Sequence, residues 1–193
     1  VADKDAFAER ERVLEEEYFR RKEKEVIEKM RSRAQAEAQR RRLGEQTGVA
    51  DEEVLSDLQA LGYTPETVSL LHLVPLIQMA WAEGDVSSKE RDLIVRAARA
   101  RGIEPDSAAE QQLNRWLTNR PSDELFEKTL RAIRAILAAR SPEERADSER
   151  DLLSLCTAIA SASGGIVGFG AVSSDERQIL ARITEELEKG RQR

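Results

Sequence analysis

One cysteine and one histidine in 193 residues leave little of the chemistry that side chains usually supply. With Cys156 alone no disulfide can form within the chain, which points to a reducing compartment. Its setting, LLSLCTAI, is apolar and predicts a buried thiol. No Cys/His set exists, which excludes a structural zinc site of the usual kind. The single imidazole, His72, sits in the apolar run Leu70–Ile77 and reads as a packed side chain rather than a catalyst. No nucleophile–base pair or carboxylate dyad stands out, so neither an enzyme nor a cofactor is expected. Aromatic residues are only 4% of the chain, so the core must come mainly from Leu, Ile, Val and Ala.

Long hydrophobic runs are also scarce. The longest uncharged stretch, 152–174, contains Gly164, Gly165, Gly168 and Gly170 with several serines. A bilayer span needs about 20 predominantly apolar residues, and the internal repeat described below accounts for this stretch better. The glycine loop lacks the Lys-Ser/Thr of a P-loop, so phosphate binding there is not expected. The opening residues VADKDAFAERE fit neither a signal peptide nor a transit peptide.

What the chain has in abundance is charge, 35% of residues, with a net of −6. Its placement is uneven. Residues 1–45 hold 13 Lys/Arg and 12 Asp/Glu, leaving 18 and 25 for the remainder, an acidic globule of net −7. Arg20-Arg21-Lys22 is cancelled by interleaved glutamates, and Arg40-Arg41-Arg42 alone is a weak electrostatic footprint. Nucleic acid is therefore not an expected partner.

The pattern predicts an all-α chain. Residues 3–43 contain no Gly and no Pro and read as one long helix. Four Glu-to-basic pairs, Glu16–Arg20, Glu17–Arg21, Glu25–Lys29 and Glu37–Arg41, have the favourable i,i+4 order. Together they add only about 1–2 kcal/mol, so this helix is marginal without a partner. Gly44 and Gly48 are expected to end it in a flexible joint. Further helices are expected at 51–61, 65–83, 87–101, 106–119, 122–139, 142–163 and 173–189. Thr64-Pro65 and Ser141-Pro142 look like helix starts, and Pro75 suggests a kink. Three parts follow: a charged helix over 1–45, a linker with a short helix over 46–63, and a helical domain over 64–190.

An internal repeat runs through that domain. Val86-Ser87-Ser88-Lys89-Glu90-Arg91 recurs as Val172-Ser173-Ser174-Asp175-Glu176-Arg177, and in each copy Ser and the Glu three places on form a capping box. Upstream, Met79–Gly84 aligns with Ile159–Gly164, and Ile166–Ala171 is an insertion. Each copy is a buried helix, a glycine turn and a capped helix. The pattern resembles the TerB-like (tellurite-resistance) helical domain over roughly 65–189, which implies a helical bundle with two-fold internal repetition. The second copy departs from the family's turn, with Ser163 and Gly165 in place of Glu83 and Asp85. Glu83, Asp85 and Glu90 are the candidate cation ligands. A calcium loop wants six to eight oxygens, and capping and solvation explain these three carboxylates better, so no metal is expected.

The N-terminal helix carries its few apolar residues in an order that composition does not demand. Phe7, Arg10, Glu11, Glu15, Tyr18, Phe19, Arg20, Lys24, Glu25, Ile27 and Met30 match without a gap the inhibitory segment of the mitochondrial F-type ATPase inhibitor protein family, which residues 6–31 therefore resemble. The resemblance implies a segment that orders on binding at a catalytic interface between the alpha and beta subunits, where it stops rotation during ATP hydrolysis. By that carry-over Glu15 meets a basic residue of the beta subunit, Tyr18 and Phe19 fill apolar contacts, and Phe7 with Arg10-Glu11 anchors the innermost end. Arg20, Lys24, Ile27 and Met30 extend the contact.

The family's members continue into a His-rich helix used for self-association, which this chain lacks. The implied function is a regulatory inhibitor of an F-type ATP synthase, with alpha, beta and gamma subunits and a second copy of the chain as candidate partners. Its implied place is the bacterial-type cytoplasm or the mitochondrial matrix, with membrane contact only through the synthase. The alternative is a TerB-like stress or envelope-associated interaction module whose first helix is an oligomerisation stalk.

Overall fold

Alanine, arginine, glutamate and lysine dominate the first forty residues, and they form α1 (Ala2–Thr47), 46 residues of unbroken helix. At 1.5 Å per residue it is about 70 Å long. The structure, a computed structural model, describes the backbone of residues 2–163 and 172–189. Side chains are described for Arg12, 14–162 and 172–189. The insertion Ile166–Ala171 lies outside the described residues.

Seven further helices follow among the described residues, with no strand: α2 (Glu52–Ala60), α3 (Val74–Ala80), α4 (Ser88–Ala100), α5 (Ala108–Thr118), α6 (Asp123–Ala138), α7 (Pro142–Ser163) and α8 (Ser174–Glu188). The chain divides by its internal packing into residues 1–41 and 42–193. The second unit takes in the last residues of α1, with Leu43 fully buried, and α2 with Val54, Leu55 and Leu58. The short helix expected in a linker is thus packed, against α6.

Local sequence explains most helix starts. Asp51, Ser87, Ser107, Ser122 and Ser173 stand in extended backbone and accept hydrogen bonds from N–H groups of the first turn of α2, α4, α5, α6 and α8. Each such cap contributes about 1 kcal/mol. Ser141 and Glu144 bond reciprocally at the start of α7. Other ends are closed by distant side chains. Trp81 Nε1 donates to Trp116 O at 2.9 Å, and Arg91 donates to Leu117 O at 2.7 Å, so the last carbonyls of α5 are satisfied from outside the helix.

α3 is the centre of the second unit. All seven of its residues are buried, as expected of a helix apolar on every side. It packs against α4, α6, α7 and α8, so both copies of the repeat meet around it. Their capping glutamates, Glu90 and Glu176, are 3% and 1% exposed.

Three expectations are corrected. Gly44 does not end α1: the helix runs through it to Thr47, and Gly48 closes the turn at φ 72°, its N–H reaching Gly44 O at 2.8 Å. Gly44 is small for a different reason. A Cβ there would stand 3.1 Å from Val49 O and 3.2 Å from a methyl of Leu55, so the returning chain lies against it. The joint is also tied, because Thr47 Oγ1 donates to Leu43 O and accepts from the Val49 N–H.

The helix expected over 65–83 is split into a 3-10 segment, Val68–Leu73, and α3. Pro75 has no N–H to give, and at the start of α3 none is needed, so it opens a helix instead of kinking one. Thr64 accordingly caps nothing at Pro65: its own N–H donates to Thr67 Oγ1 in a turn. Finally, the Glu25 carboxylate pairs with Lys22 at 3.1 Å, in i,i+3 spacing, rather than with Lys29.

Candidate functional site

Burial separates the two units sharply. Leu14, Tyr18, Phe19, Val26, Ile27 and Met30, all on α1, are the large hydrophobic side chains that stand exposed among the described residues; Leu14 and Phe19 are each 66% accessible. Single exposed apolar residues are ordinary, but a cluster confined to one element marks a contact surface.

The helix sets their directions. At 3.6 residues per turn successive side chains are about 100° apart. Leu14 and Tyr18 then lie within about 40° of each other, and Phe19, Val26 and Met30 share a second stripe of similar width. The stripes are centred about 120° apart, with Ile27 about 80° beyond the second. Val26 is absent from the residues that the sequence resemblance selects. Its heptad step from Phe19 is the signal that could have found it.

Tyr18 and Phe19 are neighbours in sequence yet belong to different stripes, and they touch edge to face with ring centroids 6.0 Å apart. Such contacts are worth about 0.5–1.5 kcal/mol when buried. Lys22, one turn on, lies 6.0 Å from the Tyr18 ring centroid while its ammonium holds Glu25. Both are exposed arrangements and add little to stability. Glu15, Arg20 and Lys24 are exposed, with their charges turned to solvent. The side chains of Phe7, Arg10 and Glu11 lie outside the described residues. Of the sequence-selected residues, α1 therefore brings Tyr18 and Phe19 into contact and distributes the rest along its length.

The candidate cation ligands are not assembled. Glu83 and Asp85 are exposed. Glu90 Oε2 instead accepts from the Ser87 N–H at 2.8 Å, completing a capping box. Burial raises the Glu90 carboxyl above its ordinary value; the Ser87 hydrogen bonds oppose this, and the negative charges of Glu176 and Glu83 add to it. Among the described residues no group of three His, Cys, Asp or Glu side chains could hold a metal ion. Cys156 is fully buried, and burial pushes its thiol up to about 12, so it is protonated and unreactive at neutral pH. No helix among the described residues is long and apolar enough to cross a membrane.

No protein-family model matches the chain, and neither a curated protein nor a solved structure shows significant similarity to it.

Proposed function

We propose that this chain is a regulatory inhibitor of ATP hydrolysis by an F-type ATP synthase, working by insertion of α1 at a catalytic interface between alpha and beta subunits. The observation that carries the reading is the exposed apolar surface of α1, most of it in two stripes with Ile27 outside both. A coiled-coil stalk buries one continuous seam, with apolar residues every 3.5 positions on average. A helix wedged between two walls needs two faces instead, one for each wall. Leu14 and Tyr18 supply one face and Phe19, Val26 and Met30 the other, with Glu15, Arg20 and Lys24 to fix register. The helix is marginal on local interactions alone, and burial of these side chains in a partner supplies what it lacks. The TerB-like unit behind it would tether, position or sense.

The test is titration of the full chain into an F-type ATPase during ATP hydrolysis. Inhibition is expected, and Glu15→Ala or Tyr18→Ala should weaken it by about 1–3 kcal/mol, the range for a buried charged or aromatic contact. A full chain that leaves hydrolysis untouched at tens of micromolar ends the proposal. If the same chain instead self-associates, and Phe19→Ala or Met30→Ala dissolves the oligomer, the stalk reading takes its place.

A further inference from the structure

His72 is not simply packed. It lies half-buried between two adjoining cavities of the second unit, of about 280 and 200 Å³, and lines both. Arg140 lines both as well, and Arg101 lines the smaller. The lining is mixed: Leu71, Val68 and Ile136 stand with Gln46, Thr47 and Ser69 in the larger cavity, and Ile133, Leu137 and Leu152 with Ser148 in the smaller. Together the two fall at the small end of ordinary small-molecule sites, which run from about 300 to 1,000 Å³.

The charges around this space are unbalanced. Asp151 is the one carboxylate that lines it, against two guanidinium groups. Neither Arg101 nor Arg140 closes an ion pair among the described residues, although the Arg140 charge lies within electrostatic reach of Glu144. Arg140 is nevertheless held in place: it donates to Ser148 Oγ at 2.8 Å, and that hydroxyl donates to Glu144 O at 2.7 Å. An arginine fixed by a neutral acceptor keeps its charge and its remaining N–H donors for something else. Burial, with Arg101 and Arg140 beside it, pushes the His72 imidazole down to about 4. At neutral pH it therefore carries no charge and offers one N–H donor and one acceptor.

We propose that these adjoining cavities form a binding site for a small organic oxyanion, its carboxylate or phosphate head held by Arg140 and Arg101 and its apolar body lying along Leu71 and Ile136. Guanidinium groups match both head groups in geometry as well as charge. The site lies wholly within residues 42–193, and it does not depend on the function proposed for α1.

Because His72 is the only histidine, one imidazole signal pair in a proton–carbon NMR spectrum of the full chain reports on the site. Octanoate and phenyl phosphate are the probes, with octanol and inorganic phosphate as controls. Either organic anion should move the His72 signals saturably and raise the imidazole pKa by about one unit or more, since a bound negative charge favours the imidazolium. Arg140→Gln and Arg101→Gln should each weaken binding about tenfold, equivalent to one lost charge-assisted hydrogen bond. Asp151→Asn should tighten it. Both arginines are exposed, so the variants are expected to fold, and an unchanged far-UV spectrum checks that. The proposal is overturned if no probe shifts His72 at about 10 mM, the weak end of specific binding. It is equally overturned if octanol matches octanoate, if inorganic phosphate binds as tightly as phenyl phosphate, or if the arginine variants bind unchanged.

Discussion

Glu90 spends its carboxylate on the Ser87 N–H while sitting almost wholly out of water and within electrostatic reach of Glu176. The helix N-terminus favours a negative charge, yet burial and the second carboxylate outweigh it, which is why the group is harder to ionise than a free glutamate. A group with a raised folded pKa binds its proton more tightly in the folded state. Ionisation at neutral pH therefore costs stability, and that cost fades as pH falls through the raised value. Glu90→Gln keeps an acceptor for Ser87 and removes the charge. It should be at least as stable as the parent in urea unfolding at pH 7, with its lead shrinking towards pH 4. Glu90→Ala, which loses the cap, should fall by about 1 kcal/mol. A glutamine variant clearly less stable than the parent at pH 7 would mean that the charged hydrogen bond outweighs burial.

Gly48 and α1 show the same logic one scale up. The helix runs through Gly44 and ends at Thr47. It stops because Gly48 takes a left-handed conformation, with φ 72°, and turns the chain so that Val49 and Leu55 come back against Gly44. No atom lies within 4 Å of where a Gly48 Cβ would be, so the cost of substitution there is backbone conformation alone. Gly48→Ala should lower the urea midpoint by the equivalent of about 1–2 kcal/mol, the penalty for an L-residue in that region. A freely flexible joint would tolerate the change or gain from it, since alanine restricts the unfolded chain. For α1 itself, periodicity identifies a helix and exposes its apolar residues, but the twofold division of its surface appears only when the side chains are placed around the axis.

At the scale of the whole molecule, the buried His72 imidazole makes stability depend on pH. Its folded value of about 4 lies below the ordinary 6.5, so the unfolded chain binds the proton more readily. The folded state is accordingly at full advantage above pH 6.5 and loses it as pH falls towards 4, by up to about 3 kcal/mol. Glu90 acts in the opposite direction and offsets part of the loss. Unfolding midpoints measured from pH 7 to pH 5 should fall in the parent and fall less in His72→Gln. Equal slopes would place the imidazole in water in the folded protein.

The sequence by itself determined the all-helical class, most helix boundaries, the capped helices of the repeat and the burial of Cys156. These are local matters: a serine before an apolar period, a glutamate three places on, a thiol among leucines. Only the tertiary structure decided where Pro75 and Gly44 act, that Glu90 and Glu176 are sunk together, and that His72 shares cavities with Arg101 and Arg140. Those residues lie on different helices or in the turns that follow them, and what brings the members of the second unit together is the packing of both repeat copies around the fully buried α3. Hydrophobic burial is non-directional and acts between segments distant in sequence, so no spacing along the chain announces which side chains it makes neighbours.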